Sequence, residues 1–98
     1  MTSTRPSTTH RTTLADLPKG ARATILGMPE SASQMITQHM HRLAELGFLP
    51  GEVVRVVALG IPTGDPIAVR LGRATFALRR FEAALIEVEM PPRHGRTS

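Results

Sequence analysis

The stretch "RLAELGFLPGEVVRVV", residues 42–57, changes its period in mid-phrase. Its first half spaces apolar residues three and four apart, as an amphipathic helix does. Its second half is dense in β-branched residues and too short for a second helix, as a strand is. Gly47 stands where a helix stops in the left-handed conformation, and Pro50-Gly51 supplies a turn before the strand. Gly47, Pro50 and Gly51 therefore form a short structural joint that delivers a helix into a sheet at a set angle.

Upstream of the joint, "SASQMITQHMHRLAELG" carries a helix start, with Ser31 as the expected N-cap and Gln34 three residues on. At 100° per residue, one side collects Met35, Leu46, His39, Ala32, Leu43, Ile36, Met40 and Ala44. The other collects Thr37, His41, Gln34, Glu45, Gln38 and Arg42. The apolar arc is about 180° wide, where a surface helix needs a stripe of about 100°. Ile36, Leu43, Ala32 and Met40 suffice for a small core. Met35, His39 and Leu46, with Phe48 just past the joint, are left as a spare apolar rim, which is either extra core under strand or loop residues or a partner-binding surface. The turn Gly64-Asp65-Pro66 is the second candidate surface.

The rest of the chain reads as short strands and tight turns. "LADLPKG" is a turn carrying two leucines, and "ARATILG" is a first strand. "EVVRVVALG" follows the joint, and "IPTGDP" is a turn in which Asp65 bonds a backbone N–H. "IAVRL" points Ile67, Val69 and Leu71 inward; Gly72-Arg73 closes a hairpin into "ATFALR", with Ala74, Phe76 and Leu78 on one face. "RRFEAA" is a helical turn, and "LIEVEM" ends the domain with Ile86 and Val88 inward. Five strands with one inserted helix point to a mainly β fold, a small closed or partly open barrel. One domain is expected over residues 14–90, with polar, Pro-punctuated tails over 1–13 and 91–98 expected to be disordered.

Charge and composition narrow the function classes. The net charge is +4, and Arg5, Arg11, Arg93 and Arg96 in the acid-free tails account for all of it. Between residues 14 and 90 eight basic residues balance eight acidic ones, so no basic stripe is expected on the folded surface. With only Phe48, Phe76 and Phe81 as aromatics, stacking on nucleic-acid bases is not expected, and Arg73, Arg79 and Arg80 read as a solvated hairpin end. The N-terminus has no apolar signal core and no amphipathic transit-peptide face, and no run is long enough to span a membrane. Cysteine is absent, consistent with a reducing compartment.

Catalysis is not expected. Residues 14–90 hold no Cys or Tyr, the only serines are Ser31 and Ser33 at a helix start, and no nucleophile elbow, zincin motif or phosphate loop occurs. For metal, His39 and His41 diverge by about 200° on a helix, so one ion cannot join them. His41 and Glu45 are one turn apart and could offer two ligands, where a closed zinc site needs four. A divalent ion held there would be adventitious, and no cofactor is expected.

Beyond these local readings, the chain resembles a known family. The phrases R-L-x-x-L-G-x-x-P-G, G-D-P and A-L-R-x-x-E-A-x-x-I-x-V fall on Arg42, Leu43, Leu46, Gly47, Pro50 and Gly51, on Gly64 to Pro66, and on Ala77 through Val88. With the opening "LADLPKGARATI", they resemble the FeoA family of ferrous-iron transport accessory proteins over nearly all of residues 14–90. Thr63 departs from the pattern, standing where the family usually has an apolar residue. The resemblance implies an SH3-like β-barrel with a helical insertion, in the bacterial cytoplasm. It implies a non-enzymatic role supporting the ferrous iron permease FeoB as protein partner, without nucleic acid or membrane insertion; any self-association is expected to be weak. Two alternatives remain open: a divalent-metal carrier or sensor, and a stand-alone adaptor related to the SH3-like domain that ends DtxR-type regulators.

Overall fold

The structure, a computed structural model, describes residues 10–91. The expectations placed on residues 1–9 and 92–98 lie outside the described residues. Six strands form one antiparallel sheet: β1 (His10–Thr13), β2 (Arg22–Gly27), β3 (Val53–Leu59), β4 (Ile67–Leu71), β5 (Ala74–Leu78) and β6 (Glu87–Met90). Two helices accompany it, α1 (Gln34–Leu46) and the single turn α2 (Arg80–Ala83), and a 3₁₀ turn spans Leu14–Asp16. The spatial order is β1-β6-β2-β3-β4-β5, so the outermost strands do not pair and the SH3-like barrel stays open. Register shifts at Ile25/Gly27 and at Val56/Ala58 mark irregularities of the kind that bend strands and curl a sheet.

Alternation drives the interior. Val54 and Val56 of β3, Ile67, Val69 and Leu71 of β4, and Val88 of β6 are buried. They meet Leu14 and Leu17 from the 3₁₀ segment and Ile86 from the turn before β6 in one core. In β5 burial is graded rather than uniform: Leu78 is buried, Phe76 half-buried and Ala74 exposed.

The joint around Gly47 is stitched by backbone hydrogen bonds. Gly47 takes φ +115° and donates to the Ala44 carbonyl, while Phe48 donates to Leu43. That is a left-handed helix end, which a Cβ disfavours. Beyond it, Gly51 N–H donates to the Ile25 carbonyl and Ile25 N–H donates to Glu52, both at 2.8 Å. The joint is thereby fastened to β2.

Three expectations are corrected. Residues 10–13, placed in a disordered tail, form β1 and pair with β6, so the folded unit starts earlier than residue 14. Their sequence, His-Arg-Thr-Thr, lacks apolar alternation; backbone pairing and the Arg11–Glu89 ion pair at 3.8 Å join the strands instead. The helix cap is Ser33, whose Oγ accepts from Ile36 N–H. Ser31 sits two residues further out, its own Oγ accepting from Ser33 N–H. Finally, α1 gives the core only Leu43: Ile36 and Met40 are half-buried, and Ala32 is exposed ahead of the helix.

Candidate functional site

With only Leu43 sunk into the core, α1 needs other anchors, and Glu82 supplies one. This carboxylate is 5% exposed on α2. One oxygen, Oε1, accepts from Arg79 N–H at 3.0 Å and so caps α2. The other, Oε2, lies 3.4 Å from both His39 Nδ1 and Arg42 Nη1, one turn apart on α1. A buried carboxylate left without partners costs heavily, and here both oxygens are occupied. The His39 ring also meets Phe81 edge-to-face, with centroids 4.9 Å apart and planes at 89°. The His39 side is therefore where α1 is pinned to α2.

Around that joint lies exposed apolar surface. Met35 is 67% exposed, Phe81 48% and Leu46 38%. Helical geometry puts Met35, His39 and Leu46 on one flank of α1. Of the rim read from the sequence, Met35 and Leu46 are thus open to a partner and His39 is largely committed to α2. Phe48 requires a correction. It is fully buried and edges onto Phe76 with centroids 5.3 Å apart, so it offers no surface. The joint turns the chain inward after Gly47, and the bulkiest side chain beside it fills the core.

The second candidate surface is partly structural. Asp65 Oδ1 accepts from Arg80 N–H at 2.9 Å, fastening the Gly64-Asp65-Pro66 turn to the start of α2. Pro66 is exposed and Gly64 half-buried, and Ile61 in the same loop is 93% exposed.

His41 and Glu45 are both exposed, and His41 lines a groove between α1 and the loop at Met28 to Ser31. Among the described residues no cluster of three or more metal-ligating side chains exists. Among the same residues no helix is long and apolar enough to cross a membrane.

Glu82 went unnoticed as a functional position in the sequence. Its signal was present: a Glu three residues after Arg79, at the place from which a carboxylate reaches back to cap a helix. Its second role, toward α1 forty residues upstream in the chain, has no local signal.

Three comparisons agree with this architecture. FeoA from Stenotrophomonas maltophilia, an SH3 domain protein solved in complex with zinc, is 37% identical with a TM-score of 0.67, over 81% of this chain and 95% of that one. A FeoA-like protein from Clostridium acetobutylicum is 26% identical with a TM-score of 0.72, over 89% and 94% of the two chains. A manganese-dependent transcriptional repressor at 24% identity and a TM-score of 0.68 shares the fold alone, this chain spanning 82% of its own length and 41% of the repressor's. The model of the FeoA domain matches residues 12–90, which takes in the second half of β1 and every later strand. Sequence phrases, open SH3-like barrel and family match thus converge, and the chain belongs to the FeoA family.

Proposed function

We propose that this chain is a non-enzymatic accessory protein of ferrous iron uptake, acting in the cytoplasm by binding the cytosolic region of a FeoB-type permease. The observation that carries the reading is the flank of α1. A helix with one buried residue is held through the contacts of Glu82 with Arg42 and His39 and keeps Met35, Leu46 and Phe81 exposed beside it. Met adapts its shape to a moving partner, and an exposed apolar rim of this kind suits a protein surface. The domain acts by differential binding, favouring one state of the permease and shifting its population. Both serines of the folded unit are spent at the start of α1, which supports the non-enzymatic reading. No resident cofactor is part of it.

The test is capture of the full chain by membranes carrying the permease, against membranes lacking it. Retention only by the former, lost in Met35→Asp and Leu46→Asp at an unchanged melt, supports the proposal; equal retention by both membranes overturns it. The zinc complex of the Stenotrophomonas protein favours one second reading, a metal carrier or sensor. Titration of ferrous iron or zinc separates the two. Tight stoichiometric binding supports the carrier, and weak binding that disappears with His41→Ala supports the accessory role.

A further inference from the structure

The outer face of the sheet holds a row of arginines that the charge balance of residues 14–90 conceals. Strand register sets Arg22 directly opposite Arg55, and Arg55 directly opposite Arg70. All three are exposed, and they line a shallow groove with Val53 and Gly72. Like charges directly opposite across strands destabilise a sheet. Carboxylates could relieve them, yet among the described residues, which include every Asp and Glu of the chain, none lies within 4.0 Å of these guanidinium groups. Glu89, which lines the adjoining groove with Arg22, is instead paired with Arg11.

The surroundings of the row are small and flat. Thr24 and Val53 pair on one side of it, and Ala68 and Ala77 on the other. Val53 is 49% exposed. Neighbouring strands lie about 4.8 Å apart, so the row runs about 10 Å across three of them. An extended peptide presents alternate side chains about 6.8 Å apart, which flexible arginine tips can follow. The planar guanidinium fork suits carboxylates held in this way.

Duplex or single-stranded nucleic acid fits less well. No aromatic ring stands among these outer-face residues, and the eight acids of the folded part deny it a broad positive field. We propose that the outer face of β2, β3 and β4 docks an extended acidic peptide segment, its carboxylates paired with Arg22, Arg55 and Arg70. This surface is separate from the α1 flank, and the proposal does not rest on the identity of the permease partner.

The test uses the full chain and fluorescence anisotropy with a short labelled peptide of alternating Glu and Thr, against alternating Gln and Thr. The acidic probe binds at low ionic strength and is released by salt, while the amide control does not bind. Arg55→Gln weakens the acidic probe about fivefold; Arg55→Lys retains part of the affinity; Arg79→Gln, outside the row, changes nothing. Combining Arg22→Gln, Arg55→Gln and Arg70→Gln abolishes binding. Relief of like-charge repulsion leaves the melting temperature of Arg55→Gln equal or higher. Equal losses from Arg79→Gln and Arg55→Gln overturn the proposal, as does a lowered melt in Arg55→Gln. Tighter, Arg55-dependent binding of a short oligothymidylate assigns the face to nucleic acid and also overturns it.

Discussion

Glu82 shows how much one side chain can hold in a small domain. Its two oxygens cap α2 and face His39 and Arg42 on α1, so the residue couples two elements distant in sequence. Glu82→Ala removes both functions and is expected to destabilise by about 1–3 kcal/mol. Glu82→Gln keeps an amide oxygen for the cap and loses only the charge, so its loss should be smaller. Thermal denaturation of the two variants checks that order; equal melts would show that the cap and the contacts to α1 contribute nothing separable. Gly60 is a second demanding position, for a steric reason. A Cβ there would collide with the Asp65 carbonyl group, its carbon 2.6 Å away. Backbone has nowhere to retreat, so Gly60→Ala is expected to cost about 1–3 kcal/mol, read as a lower urea midpoint at unchanged slope.

At the scale of the element, α1 divides its residues sharply between anchor and surface. Leu43 is fully buried, and Leu43→Ala should cost about 2–5 kcal/mol. Met35 is mostly exposed, so Met35→Asp should move stability by no more than about 0.5 kcal/mol. Comparing the two melts separates core from interface before any partner is added. The joint is as specific as the anchor. Gly47→Val places a Cβ in the left-handed region and sets it 3.2 Å from Leu71 Cδ2. The conformational part alone is about 1–2 kcal/mol. An unchanged melting temperature would mean that the helix ends some other way.

The whole molecule is an open barrel with β1 along one margin and β5 along the other. β1 covers the backbone of β6, which would otherwise be an exposed edge of unpaired N–H and C=O groups. Trimming the chain to residues 10–91 should therefore leave the cooperative melt intact. Trimming to 14–91 should lower it and promote association through the bared β6 edge. Differential scanning calorimetry with sedimentation analysis reads both effects, and identical behaviour of the two trimmed chains would show that β1 adds nothing.

Local chemistry made much of this legible in advance. Ile67, Val69 and Leu71 announced their strand by alternation, the β-branched run after the joint announced β3 by its density, and Gly47 and Pro50-Gly51 announced the stop and the turn, because period, composition and φ preference are properties of a few adjacent residues. The family phrases carried the SH3-like fold. What stayed hidden depends on partners far along the chain. β1 has no apolar pattern and is held by backbone pairing, which almost any residues can make. Phe48 looked like a rim residue because nothing nearby tells which way the chain turns after Gly47. His39 met Glu82 only once α1 and α2 were packed, so the rim read from the sequence kept Met35 and Leu46 and lost the ring between them. The arginine row exists only through register: Arg22, Arg55 and Arg70 are far apart in a span, residues 14–90, whose charges balance, and the pairing of three strands makes them neighbours.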